Sequence, residues 1–377
     1  MAARRLSRRT SSGAFIPEID GARFVAVVMV VLMHITLYCG SAYLAARGSM
    51  VHSNPLWRAA QAGGYGVQLF FVISGFVLSL PFLASRHEEA DPLNLRWYYL
   101  RRLTRLEPPY IVSLVLFALV VAALPAPHEP VPPHLVAGLF YMHGQVFGTA
   151  NTINPGLWSL EVEVQFYLLM PLLAGMFAIS ATRLRRSVFV ALAAAAVIAQ
   201  TVLFPGQARL SLSVLGQIQY FLVGFLIADI YIVDWKREPA REARWDWASV
   251  IGVVLSALAI LTGWLWLLPL AFVPLFLGVF RGRRTSAALR IRWVFTIGGM
   301  VYSIYLIHPL VIRLLWRFPR VFVPWRSFAL DLAFDLVMIG LLILAASTAF
   351  FLAVERPCMN PDLVRRLFGV ERRRKGS

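Results

Sequence analysis

Arg23 and His34 share one nearly unbroken apolar run, Ile19 to Tyr38, and hydrocarbon penalises both residue types. On a helix, eleven residues at about 100° each return the second side chain to within about 20° of the first, about 16 Å further along the axis. A cation near one edge of a bilayer and a titratable imidazole near its middle or outer half mark a polar track through the membrane. An ionisable residue inside a span is a functional-site candidate by default. The plainer alternative is a snorkelling arginine and a histidine satisfied by a neighbouring helix.

Three further groups carry chemistry-bearing types. Trp158-Ser159-Leu160-Glu161-Val162-Glu163 opens another apolar run. On a helix Glu163 and Tyr167 share one face, as do Glu161 and Gln165. Carboxylates near a helix N-terminus also complement its dipole, so a structural role competes, more strongly for Glu161. Later, Tyr302, Tyr305 and His308 recur every three residues, and Pro309 cannot bond back to the Tyr305 carbonyl, which leaves that oxygen free. Tyrosines stacked around a buried histidine are the structural alternative. Finally, Arg101, Arg102 and Arg105 end a basic stretch just before a span. The planar guanidinium fork suits phosphate, although arginines beside a span also serve as topology and lipid anchors.

The elements that position these residues follow from composition. The 377 residues are 59% hydrophobic and 15% charged, far from a soluble domain. The net charge of +17 is gathered in short clusters between apolar segments, as topology determinants are, and does not point to nucleic acid. The reading is an all-α, polytopic transmembrane helix bundle of about ten spans with both termini cytoplasmic, in the cytoplasmic (inner) membrane. Residues 1–17 and 359–377 read as basic cytoplasmic tails around one membrane domain, 18–358. The uncharged stretch Trp247 to Phe280 is too long for one span and divides into two turning near Gly263 to Pro269, which keeps the Arg281-Gly282-Arg283-Arg284 cluster and the basic C-terminal tail both inside. Trp293 to Ile312 and Phe328 to Val354 close the set. Pro125 to Pro155 reads as a longer outer loop without Lys or Arg. It holds His128, Glu129, His134 and His143, but no pair has the i,i+4 spacing of a zinc-binding helix, so no metal is expected. Cys39 and Cys358 fall on opposite faces, and no disulfide is expected. In this orientation His34, Glu163 and His308 all lie in the outer half and the arginine cluster at the inner mouth.

Taken in order, these residues resemble the acyltransferase 3 family of membrane acyltransferases. Asp20-Gly21-Ala22-Arg23, with ten residues between Arg23 and His34, is similar to its first signature, and Gly66 to Phe76 to its second. Arg101, Arg102, Arg105, Pro108 and Tyr110 resemble the third, Trp158-Ser159-Leu160 with Glu163, Phe166 and Tyr167 the fourth. Tyr302 to His308 resemble the fifth, and Glu355-Arg356-Pro357 the closing Glu-x-Pro. Gln68, Glu107 and Glu161 depart from the pattern, where an acidic, an apolar and a small residue are usual.

The resemblance implies a membrane O-acyltransferase that moves an acyl group, often acetyl, from cytoplasmic acyl-CoA to a hydroxyl of a surface carbohydrate or a glycosylated metabolite. It implies donor phosphates at Arg101, Arg102 and Arg105, and substrate contacts at Trp158, Ser159, Tyr305 and Ser74. His34 would act as base or as a transient acyl carrier, with Arg23 holding the donor or setting the protonation of His34. Glu163 would orient a histidine or the acceptor, and His308 would assist. The implied partners are the lipid bilayer and the acceptor, with a homo-oligomer or a separate extracytoplasmic partner open. Some relatives carry an added extracytoplasmic domain after the membrane part, and this chain is expected to act without one. The competing reading is a transporter or flippase of a lipid-linked sugar or metabolite, since a polar track serves a carrier equally well.

Overall fold

The computed structural model describes residues 15–48, 51, 53–87, 94–123, 131–318, 323–325, 327–360 and 369, and among these every regular element is helical. The two expected tails lie for the most part outside the described residues, as do His128 and Glu129. Among the described residues eight helices are long and apolar enough to cross a membrane, and a bent pair makes up to nine. The stretch expected to divide in two does so. Asp246–Thr262 and Leu268–Arg281 lie along each other, turning at Gly263, whose φ of 74° favours a residue without Cβ.

The elements that matter for the site are α1 (Pro17–Arg47), α2 (Gly66–His87), α3 (Leu95–Ala123), α4 (Val131–Leu139), α5 (His143–Phe147), α6 (Trp158–Leu173), α7 (Thr182–Ile198), α8 (Val214–Asp229), α9 (Arg292–Gly299), α10 (Val301–Leu315) and α11 (Phe328–Phe350). The span containing α2 is 72% buried over its apolar window, the one containing α7 only 6%. The first is therefore the centre of the bundle and the second its lipid-facing rim. Two glycines let α2 and α8 cross closely. A Cβ on Gly75 would stand 2.3 Å from the Phe221 carbonyl oxygen, and one on Gly224 equally close to that of Val72, as small residues permit in membrane packing.

Three features depart from the expected layout. The span expected from Trp293 to Ile312 is broken: α9 and α10 meet at 71°. Gly298 presses so tightly on α1 that a Cβ there would lie 1.8 Å from the Asp20 carbonyl oxygen, and α10 sets off afresh at Val301. Although the sequence reads its charge clusters as lying between apolar segments, Arg185 is wholly buried and ion-paired to Asp229 at 2.5 Å. Arg186 bridges Asp229 and Asp234.

The third departure concerns the expected outer loop, which folds back into the bundle. The Tyr110 hydroxyl donates to the Gly138 carbonyl at 2.7 Å, and the Tyr141 ring stacks on that of Tyr110 with centroids 4.5 Å apart. Tyr110 lies about 20 Å down α3 from Ala123, at 1.5 Å per residue. Irregular backbone at that depth must find its hydrogen bonds in protein, and polar side chains supply them. Glu161 accepts from the Gly144 amide at 3.0 Å, Asn151 from Ile153 at 2.9 Å and Asn154 from Gly156 at 3.1 Å. Gln145 donates to the Leu212 carbonyl, and Gln165 accepts from Val214. Tyr141 takes a φ of 56°, strained for a bulky residue, and its hydroxyl donates to Glu107 at 2.9 Å.

Candidate active site

A cavity opens between α1, α2, α3, α6 and α10. Arg23, Arg101, Arg102 and Arg105 line it together with Ser74, Ser159, Glu163, Tyr167, Tyr302, Tyr305 and Glu355. Six separate signatures of the sequence thus contribute to one space.

Its cationic side is built from α1 and α3. Arg23 pairs with Asp20, one turn earlier on the same helix, at 2.5 Å. The i,i+3 spacing makes the two neighbours, so Arg23 carries a compensated charge. Arg102 lies over the Tyr98 ring at 3.6 Å and near the Tyr167 ring at 5.4 Å, and it donates to the Tyr98 carbonyl. A guanidinium held flat between aromatic faces is aimed by them. Tyr98 was not among the expected site residues, though its i,i+4 spacing to Arg102 is visible in the sequence. The Arg105 Nε is buried with no hydrogen-bond partner.

Glu163 lines the same cavity. Its Oε1 accepts from the Ser74 hydroxyl at 2.7 Å and from the Tyr167 hydroxyl. The expected shared face of Glu163 and Tyr167 is therefore realised as a direct bond. Glu161, on the next face, is spent on the folded-back segment. Ser159 and Tyr305 meet at 2.5 Å. Because the Tyr305 hydroxyl donates its one proton to the Gly156 carbonyl at 2.5 Å, Ser159 is the donor between them. Glu355, from the closing signature, accepts from the backbone and hydroxyl of Ser303 at 3.1 and 2.5 Å and so pins the end of the last span to α10. Trp158 packs on Phe71, with centroids 6.2 Å apart.

Neither histidine lines the cavity. They meet each other instead. His34 and His308 lie edge to face with centroids 5.0 Å apart, His308 fully buried and His34 half-buried. Each ring is fixed by its own helix. His34 Nδ1 bonds the Val30 carbonyl at 2.9 Å, and His308 Nδ1 that of Ile304 at the same distance. A carbonyl only accepts, so Nδ1 carries the proton in both, and in the neutral rings Nε2 keeps a bare lone pair. The Nε2 of His308 has no hydrogen-bond partner. Glu163, expected in one layer with the two histidines, belongs to the arginine cavity rather than to this pair. His134 and His143 also meet, at 2.8 Å, although their spacing along the sequence does not announce it.

Cavity, arginines and histidine pair follow the signature order seen in the sequence, and the acyltransferase domain profile matches residues 16–356. The chain belongs to the acyltransferase 3 family. Among its relatives, the peptidoglycan O-acetyltransferase OatA of Listeria monocytogenes is 28% identical over 172 residues, 42% of this chain and 24% of that protein. A Bacillus subtilis protein, YrhL, provisionally named as a peptidoglycan O-acetyltransferase, is 29% identical over 185 residues, 45% of this chain and 25% of its own length. A Staphylococcus aureus protein provisionally named as an O-acetyltransferase is 28% identical over 171 residues, again 42% and 24%. The matches thus span about a quarter of the length of these relatives. No solved structure matches. The chain is a multi-pass membrane protein carrying this family's acyltransferase domain.

Proposed function

We propose that the chain is an inner-membrane O-acyltransferase that takes an acyl group, acetyl in the simplest case, from acyl-CoA and places it on a hydroxyl of a carbohydrate acceptor. The observation that carries this reading is the shared cavity: arginines suited to phosphate together with hydroxyl and carboxylate groups, next to a pair of base-competent imidazoles of which His308 lies one helical turn beyond Tyr305.

In this reading Arg101, Arg102 and Arg105 hold the donor phosphates, and Arg23 steadies the chain that carries the thioester. Ser74, Ser159, Trp158 and Tyr305 surround the reacting groups, with Glu163 fixing the hydroxyls of Ser74 and Tyr167. His34 Nε2 takes the proton of the acceptor hydroxyl as its oxygen attacks the thioester carbonyl, and the C–S bond breaks as the tetrahedral intermediate collapses. His34 then returns the proton to the departing thiolate, so that ester and free thiol are the only products. His308, edge-on to His34, holds that ring in place and supports its charge while it is protonated. The OatA relative, a peptidoglycan O-acetyltransferase by name, supports a glycan as acceptor.

The test is mass spectrometry of surface glycans and secreted small molecules from cells with and without the gene, complemented by wild type and by His34→Ala at equal protein level. An acyl mass difference restored by wild type alone is the expected result. An unmodified molecule that merely changes sides of the membrane would overturn it in favour of a carrier.

A further inference from the structure

The cavity and the histidine pair are neighbours without being continuous. Tyr305 lines the cavity, and its ring centroid lies 5.9 Å from that of His308. Phe70 also lines the cavity and stands edge to face against Tyr305, 6.2 Å between centroids. Beyond these two rings the cavity lining stops, and the histidines begin.

Phe70 holds a further distinction. It packs against the large apolar cluster around Phe71, Val72 and Phe166, and also against the separate cluster of Val27, Ile35, Tyr38 and Ile304, the last of which holds the His308 ring through its carbonyl. One side chain therefore touches both clusters, and with Tyr305 it walls the cavity toward His308. Its companion cannot easily move, because the Tyr305 hydroxyl is tied to both Gly156 and Ser159. Phe70 has no polar atom and no such tether, and as a half-buried ring it is the compliant half of the wall.

We propose that Phe70 sets the length of the acyl group this protein accepts. The inference rests on the reading of the cavity as the acyl-CoA site: a thioester whose phosphates lie at the arginines and whose carbonyl reaches His34 must pass its acyl chain along Phe70. A two-carbon acyl group fits beside the ring. A longer one needs the volume the ring occupies, since a packed apolar interior does not yield a methylene without cost. Removing the ring gives those methylenes an apolar lodging, and each one sheltered there strengthens binding about fourfold.

The test measures the affinities of acetyl-, butyryl- and hexanoyl-CoA for the full chain in lipid nanodiscs, for wild type, Phe70→Ala, Phe70→Leu and Phe70→Trp. Phe70→Ala is expected to raise hexanoyl-CoA affinity relative to acetyl-CoA by about fourfold for each of its four additional methylenes that is sheltered, up to about 250-fold, with Phe70→Leu between. Phe70→Trp is expected to lower butyryl-CoA relative to acetyl-CoA. Phe70→Leu and Phe70→Trp keep the position filled and serve if the alanine variant does not fold. Ratios unchanged across the variants, with acetyl-CoA still bound, would overturn the assignment of Phe70 and leave the donor reading standing. If wild type binds no acyl-CoA of any length, the donor reading itself fails, and this inference with it.

Discussion

His34 and His308 face each other at 66° with their centroids 5.0 Å apart, and each donates its Nδ1 proton into its own helix. The two rings are thus presented in the same tautomer from two different helices. A pair held this way acts as a unit, His308 working through His34.

Replacement of His34 by Gln is therefore expected to lower the rate of acyl transfer by about 10²–10⁴-fold, the range of a lost general base. His308→Gln should cost less. The double variant should be no worse than His34→Gln alone, because residues acting as a unit do not add. Initial rates at equal protein level decide this, and additive losses would contradict it.

Ser74 and Tyr167 converge on the same oxygen of Glu163. A double-mutant cycle of Ser74→Ala with Tyr167→Phe should show a coupling of about 0.5–3 kcal/mol in activity. Independent effects would mean that the carboxylate does not organise the two hydroxyls together.

Arg102 is held by aromatic faces as well as by charge. Arg102→Lys keeps the charge and loses the planar fork. We expect the KM for acyl-CoA to rise about tenfold while kcat changes little, the signature of lost ground-state binding. A fall in kcat with KM unchanged would remove Arg102 from the donor site.

Asp229 is the partner of buried Arg185. Asp229→Asn leaves an uncompensated cation in the interior and should destabilise the fold by about 3–5 kcal/mol, read as a lowered melting temperature in detergent. By contrast Asp234, partly exposed and paired with Arg186, should cost about 1 kcal/mol or less when replaced by Asn.

Gly224 and Gly340 offer a matched comparison. A methyl group on Gly224 would meet backbone at 2.3 Å, whereas one on Gly340 has open space around it. Alanine at the first should destabilise by about 1–3 kcal/mol, and alanine at the second should not. The same melting experiment separates them.

Much of this architecture was legible in the sequence because bilayer thickness imposes a length on every span. The division of Trp247 to Phe280 followed from length and charge parity alone, and Arg23 and His34 were marked out by their cost in hydrocarbon. Helical spacing also named the Glu163–Tyr167 contact correctly. What spacing cannot give is depth and partner. The folded-back segment was hidden because Val131–Leu139 and His143–Phe147 are too short to register as spans, and their depth is set by Tyr110, Glu107 and Glu161 on other helices. The break at Gly298 was hidden likewise, since an apolar run with two glycines reads the same whether straight or bent. Glu163 was expected in the same outer layer as the histidines, and spacing along the helix could not name Ser74, on another helix, as its second partner in the arginine-lined cavity.

The folded-back segment from Val131 to Gly156 also fixes an order of assembly. Its polar groups are satisfied by Leu212 and Tyr305, residues synthesised long after it, and helices this short cannot remain in hydrocarbon on their own. While the ribosome is still making the second half of the chain, this segment has nowhere stable to go except the headgroup region or the water beyond. The hydrogen bonds of the folded-back segment are therefore completed only when α10 arrives. Any nascent or truncated chain lacking α10 should display an unfinished, proteolytically accessible middle to the quality-control machinery of the membrane.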